Sequence, residues 1–342
     1  MKIIIGINTY HADSSACIIV NGKLIAAIEE ERINRKKHYS GYPIESIKEC
    51  LRIADKKDSE ITDIAFNTRP SSNLLPKGIF FLKNFSFKKV LLSESFKNKI
   101  NVKGLLLNKF TLNKNVKFHY IEHHLAHIAS AFYPSGFNDA VGLSIDGSGD
   151  FVTLAISECK NDRIKIIKKI NFPNSLGIFY HAMTQFLGFK NYGDEYKVMG
   201  LAAYGEPKYF DKIKDNLFIK NNKSIFELNL NYFNHHKNSF KYIAKDSLHI
   251  DEIFNSNLNK LFSSEFKSII NKDQFNKDFA SSVQKIYEFF FKKIIDKLSL
   301  KNFSKNLVFA GGCALNSSAN KFITNDNKLF EKVYIPCAPG DN

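Results

Sequence analysis

His123 and His127 lie four residues apart in the run Ile121-Glu-His-His-Leu-Ala-His-Ile-Ala-Ser130. If that run is helical, both imidazoles project from one face, a turn apart. Neutral imidazole binds first-row transition metals, so the pair is a candidate for part of a metal site. The plain alternative is a chance histidine pair in a helix. Other stretches carry groups suited to ions or phosphates. The turn Asn8-Thr-Tyr-His-Ala-Asp-Ser-Ser15 offers a hydroxyl pair, an acid and the imidazole of His11. A turn leaves its backbone N–H groups unpaired, which suits a phosphate or a small polar ligand, or simply a solvated loop. In Asp146-Gly-Ser-Gly-Asp150, Gly147 and Gly149 remove the Cβ obstacle to close backbone approach, and Asp146 can bind a cation. The segment Asn306-Leu-Val-Phe-Ala-Gly-Gly-Cys-Ala-Leu-Asn316 reads as a buried strand, the double glycine Gly311-Gly312 and a helix start. Such a start suits an adenosine or a phosphate at the helix N-terminus. Asp341 follows the last apolar run.

These groups need strands and helices to hold them. Apolar runs at Ile3–Ile7, Ala16–Val20 and Lys23–Ile28, with Asn21-Gly22 between the second and third, predict a strand, a polar loop, a strand, a tight turn and a strand. The charge run Glu29–His38 reads as a solvated surface, or as basic side chains reaching into a cleft. A helix over Pro43–Ala54 and a strand over Thr62–Asn67 follow. Residues 71–115 have no clean periodicity and read as an insertion of short helices. Val116–Ile121 reads as a buried strand that delivers the histidine helix at its carboxyl end, where open α/β sheets place ligands. The turn Pro134–Asp139 is a domain boundary, giving a first half over 1–136 and a second over 137–342. The second half repeats the opening order, with strands over Ala140–Ile145, Phe151–Ser157 and Ile164–Ile170, so the two halves are expected to be related. Residues 173–304 are mainly helical, and the aromatic stripe of Asp278–Leu298 reads as core rather than as a cofactor site.

Composition narrows the classes. A chain of 342 residues is long enough for two cores. No apolar run reaches the roughly 18 residues that span a bilayer, and no signal peptide is recognisable, so a cytoplasmic protein without a membrane role is expected. The five cysteines form no CxxC pair and read as small core residues. The net charge of +15 rests on dispersed lysines with only five arginines, a compositional bias rather than a phosphate-binding stripe. A nucleic-acid partner is therefore not expected.

The blocks HADSSA at 11–16, EERINRKKH at 30–38, HHLAH at 123–127, DGSGD at 146–150, EYKVMGLAAYG at 195–205, AGGCALNSSAN at 310–320 and PCAPGDN at 336–342 stand in an order that resembles the NodU/CmcH family of carbamoyltransferases. The resemblance implies an α/β fold of duplicated ribonuclease-H-like halves, of the actin and sugar-kinase type, with helical insertions and an incomplete C-terminal end. It implies O-carbamoylation, in which a carbamoyl-adenylate made from carbamoyl phosphate and ATP passes its carbamoyl group to a hydroxyl of a sugar or natural product. By motif position, His123, His127, Asp146 and Asp341 correspond to ligands of a divalent metal, iron in the family. His11 corresponds to the general base, and Lys37 joins it as a catalytic-site contact to the adenylate. Asn8, Gly147, Gly149, Lys197, Gly311, Gly312 and Asn316 make up the expected nucleotide-binding set. The family runs on past this point into a YrdC-like domain that forms the adenylate, so a separate domain or chain is expected to supply it, or the chain is truncated. Two alternatives stand beside this reading. One is a tRNA threonylcarbamoyl-transfer enzyme, whose HHxEGH signature differs from HHLAH. The other is a non-catalytic remnant that binds a nucleotide or a partner.

Overall fold

The structure is a computed structural model, and it describes residues 1–84, 102–220, 224–237, 250–268, 272–299, 304–324 and 329–342. Part of the insertion expected over 71–115 therefore lies outside the described residues. The chain divides into two compact units, the first built from Met1–Ala126 with Ile250 and Asp341–Asn342, the second from the other described residues between His127 and Gly340.

In the first unit, alternation in Ile3, Ile5 and Ile7 sends every second side chain of β1 (Ile3–Asn8) into the core. Antiparallel β2 (Ser15–Val20) pairs with it from Ile3↔Val20 to Asn8↔Ser15. Asn21 and Gly22 both take positive φ, 49° and 84°, the backbone that a two-residue hairpin requires, and lead into β3 (Lys23–Glu29). β4 (Asp63–Phe66) and β5 (Lys117–Tyr120) add in parallel, giving the order β3-β2-β1-β4-β5. Ile47, Cys50 and Leu51 of the helix Ile44–Ile53 share one core with Ile3, Ile5, Ile18, Ile64 and Phe66. Two results differ from expectation. β5 is an edge strand, with Lys117 and His119 exposed and Phe118 and Tyr120 half-buried, because only one side of it has a pairing strand. In the charge run, Glu30 is buried and accepts the Glu45 and Ser46 N–H groups at 3.2 and 2.7 Å, so it closes the start of the next helix instead of facing solvent.

The second unit repeats the plan. β6 (Asp139–Gly149), β7 (Val152–Lys160) and β8 (Arg163–Asn171) form the antiparallel part, and β9 (Asn306–Ala310) and β10 (Lys332–Tyr334) the parallel part, in the order β10-β9-β6-β7-β8. Read from β8 to β10, this is the order of the first sheet from β3 to β5, with the same strand senses, so the fold is a duplicated ribonuclease-H-like one. Ile128, Ala131 and Phe132 share a core with Ala140, Val152, Ala155, Val308 and Ala310. The helix Lys272–Ser299 buries Phe279, Val283, Ile286, Tyr287, Phe290, Phe291, Ile294 and Ile295 at helical spacing, as a core stripe. Phe291 meets Phe309 of β9 at a ring separation of 5.5 Å. The loop after helix Glu195–Ala202 is clamped to this long helix, because Asp278 accepts from the Glu206 N–H at 2.9 Å and from Lys208 Nζ at 2.7 Å. The expected polar turn over Asp146–Asp150 differs in detail. β6 continues to Gly149 through a register shift, and the reversal falls on Asp150 and Phe151, both at positive φ. A glycine pair marks a bulge as readily as a turn.

All five cysteines are free, and Cys50 and Cys159 are core residues as expected, whereas Cys337 is exposed. Among the described residues, no helix is long and apolar enough to cross a membrane.

Candidate functional site

The histidine helix spans His123–Phe132. Its start is set by Glu122, whose carboxylate accepts the Leu125 N–H at 3.0 Å, as a capping acid does. The helix is continuous across the division between the units, which falls between Ala126 and His127. The four-residue spacing puts His123 and His127 on one face.

In the first unit, the turn between β1 and β2 is buried. Thr9 and Ser14 donate their hydroxyls to the Gly41 carbonyl, at 3.1 and 2.8 Å, and the Ser14 N–H reaches the Tyr39 carbonyl at 2.8 Å. Asn8 donates to the Ala12 and Asp13 carbonyls and accepts from Asn67, so its carboxamide builds the turn. The result is a fixed position for His11, whose ring stacks on His123 with centroids 5.0 Å apart. Asp341 stands beside both imidazoles, 3.7 Å from His11 Nδ1 and 3.3 Å from His123 Nε2. Lys37 is exposed. A second acidic group, Asp13, Glu31 and His38, lies nearby and is partly exposed. The Asp13 carboxylate takes His38 Nδ1 at 2.8 Å and raises that imidazole above its ordinary pKa.

In the second unit, Asp146 sits where β6 begins its register shift, and one of its oxygens accepts the Gly312 N–H at 2.9 Å. A ligand atom of His127 lies within 4.8 Å of an Asp146 oxygen. The close approach depends on Gly311, at φ 92°, where a Cβ would come within 2.3 Å of the Ile145 carbonyl oxygen. Open space lies where a Cβ would extend from Gly147. The helix Leu176–Phe186 presses its start against this segment. Ser175 caps it by accepting the Ile178 N–H at 3.1 Å, and its hydroxyl donates to the Gly147 carbonyl at 2.7 Å. Asn316 exchanges two 3.0 Å hydrogen bonds with the Gln284 carboxamide and accepts the Ala319 N–H, so it starts the helix Ser317–Thr324. The double glycine leads first into a 3-10 turn, Gly312–Leu315, and only then into that helix. Lys197 is paired with Asp194 at 2.7 Å, which raises the ammonium above its usual value.

One pair in this unit escapes sequence reading. His181, buried on the helix Leu176–Phe186, meets the Glu195 carboxylate through Nδ1 at 2.5 Å. Burial pushes the Glu195 carboxyl up, but the hydrogen bond and charge of His181 outweigh it and hold the group below the usual range. The two residues stand on different helices with no motif joining them, so only tertiary packing reveals the contact.

The chain matches a family described as the carbamoyltransferase N-terminus over residues 3–342. An uncharacterised protein of Synechocystis sp. is 33% identical over 359 residues, covering 100% of this chain and 55% of that protein. The nodulation protein NolNO of Sinorhizobium fredii is 34% identical over 206 residues, covering 58% of this chain and 29% of its own length. An uncharacterised protein of Methanocaldococcus jannaschii is 29% identical over 97% of this chain and 54% of its own. The chain thus spans about half the length of the relatives that it matches along nearly its whole length. With every block of the resemblance inside the matched range, the chain belongs to the carbamoyltransferase N-terminal family.

Proposed function

We propose that this chain is the transfer part of an O-carbamoyltransferase, moving a carbamoyl group from carbamoyl-adenylate to a hydroxyl of a sugar or natural product. The family match over residues 3–342 is the observation that carries the reading. In the step proposed, the acceptor oxygen bonds to the carbamoyl carbon as the bond from that carbon to the adenylate's phosphate oxygen breaks. AMP leaves with the electron pair, and the acceptor proton goes to His11. Support for His11 comes from its fixed place: the buried turn holds its ring against His123, with Asp341 beside Nδ1. A base so positioned contributes about 10²–10⁴ in rate.

His123, His127, Asp146 and Asp341 are proposed to hold one divalent metal, with iron as the family precedent. Two imidazoles and two carboxylates suit a first-row divalent ion. The helical spacing of the histidines, the 3.3 Å approach of Asp341 to His123, and the proximity of Asp146 to His127 support the assignment. When bound, the ion would supply a positive charge for the phosphate oxygens of the donor. The glycines at 147, 149, 311 and 312, with Asn316 and Lys197, are proposed to bound the nucleotide, and Lys37 is proposed as a contact to the adenylate. The adenylate itself is proposed to come from a YrdC-like domain elsewhere in the protein or on another chain.

The test supplies synthetic carbamoyl-adenylate and a panel of hydroxylated sugars to the purified chain, and follows AMP release together with the carbamoyl ester by mass spectrometry. The wild type should transfer to at least one sugar, and His11→Ala should bind AMP normally but transfer about 10²–10⁴ times more slowly. No ester with any sugar would count against the transfer reading. Loss of AMP binding in His11→Ala would make His11 a binding residue instead.

A further inference from the structure

A surface helix ordinarily turns its polar side to water and its apolar side to the core. The helix Leu74–Asn84 in the first unit does the reverse. Leu74, Leu75, Ile79 and Leu82 are 65, 76, 48 and 81% exposed, and Gly78 among them is exposed as well. Spaced i, i+1, i+4, i+5 and i+8, these positions form one continuous stripe along the helix. The other side carries Pro76, Lys77, Phe80 and Phe81, all half-buried. Lys77 Nζ donates to the Pro70 carbonyl at 2.9 Å, which ties the helix to the turn before it, and the Phe80 and Phe81 rings meet edge to face at 5.8 Å. The aliphatic stripe is therefore presented to solvent by a helix that is held from its other side.

Charge distribution supplies a second observation. The chain as a whole mixes 34 acidic residues with 49 basic ones, yet the stretch from Ile64 to Ser93 contains Arg69, Lys77, Lys83, Lys88 and Lys89 and no acid. An aliphatic helix face within a cation-only segment is the pattern of a helix that lies in the interface of a bilayer, where apolar side chains enter and lysines meet anionic headgroups. A second copy of the chain fits less well. The helix has 11 residues and is about 16 Å long, short for the roughly 1,000 Å² that a stable protein interface buries, and pairing would bring two cation-only segments together. The stripe also lacks the aromatic and arginine anchors that mark the centre of a protein interface.

We propose that the helix Leu74–Asn84 seats this protein on a membrane surface that carries anionic lipid, with Leu74, Leu75, Ile79 and Leu82 entering the boundary between headgroups and acyl chains. The helix lies in the plane of the surface and does not cross it. This docking is independent of the transfer and nucleotide readings above.

Co-sedimentation of the purified chain with vesicles of phosphatidylcholine, alone or mixed with phosphatidylglycerol, tests it. Wild type should pellet with the mixed vesicles and bind neutral ones at least about tenfold more weakly, and added salt should weaken the binding. Leu75→Glu combined with Leu82→Glu should lower partitioning about a hundredfold, since each leucine kept out of the bilayer costs about tenfold. Circular dichroism of the double variant shows whether it folds. If it does not, tryptophan emission decides, because the chain has no tryptophan of its own. Leu75→Trp should shift its emission to shorter wavelength when mixed vesicles are added, whereas Tyr204→Trp, at an exposed position of the second unit, should not. No binding to mixed vesicles, equal binding to neutral ones, binding that survives in the folded double variant, or a shift from Tyr204→Trp alone overturns the proposal. A dimer in solution that the same two substitutions make monomeric also overturns it, and assigns the face to a second copy.

Discussion

At the scale of single residues, helix periodicity separates His123 from its neighbour His124. His123 and His124 are adjacent and both buried, yet only His123 shares a helix face with His127. The metal proposal therefore makes a sharp contrast. His127→Ala should lose most of its bound divalent metal in purified protein, because neighbouring groups do not replace a missing ligand, whereas His124→Ala should keep it. Metal analysis of the two variants checks this, and equal loss in both would remove the assignment. The histidine spacing was legible in sequence because a helix has one period. The contact of His181 with Glu195 was not, since the two sit on separate helices and nothing local encodes their meeting.

Elements were the most legible level. The strands β1 to β4 and the Asn21-Gly22 turn stood out, since alternation and turn chemistry are local properties. What sequence reading missed was context: that β5 lies at an edge, that Glu30 closes a helix start, and that β6 carries its glycines in a register shift. Each depends on a partner far along the chain. Gly205 shows how tight such packing is. A Cβ there would stand 2.1 Å from the Lys277 carbonyl oxygen, in the backbone of the long helix, which cannot yield as a flexible side chain does. Gly205→Ala should therefore destabilise by about 1–3 kcal/mol, the range for overpacking. A lower denaturant midpoint at an unchanged slope would show it, and a midpoint equal to wild type would mean the loop moves away freely.

For the molecule as a whole, one buried histidine should make stability depend on pH. His235 is buried, with Nε2 on the Pro173 carbonyl at 2.9 Å, and burial lowers its pKa from 6.5 to about 4. Below pH 6.5 the unfolded chain takes up a proton at this position, and the folded protein does not until about pH 4. Stability should accordingly fall as the pH drops through that window, by at most about 3 kcal/mol from this group. His235→Asn should flatten the decline in a series of unfolding curves from pH 7 to 4, and an unaltered decline would place the sensitivity elsewhere.

The repeated sheet order has a kinetic corollary. In the first sheet, the central parallel pairing joins Ile4 to Asp63; in the second, Val141 must find Leu307, with the whole helical insertion between them. The longer closure adds only about 1 kcal/mol of chain entropy, since that term grows with the logarithm of length. It nonetheless falls before most of the contacts that reward it, which is where distant pairing slows folding. Two sheets of one design should thus assemble on different clocks. Pulse-labelled hydrogen exchange should find the amides of β1 and β4 protected ahead of those of β6 and β9, and simultaneous protection would show that the insertion folds first and holds the second sheet's strands ready.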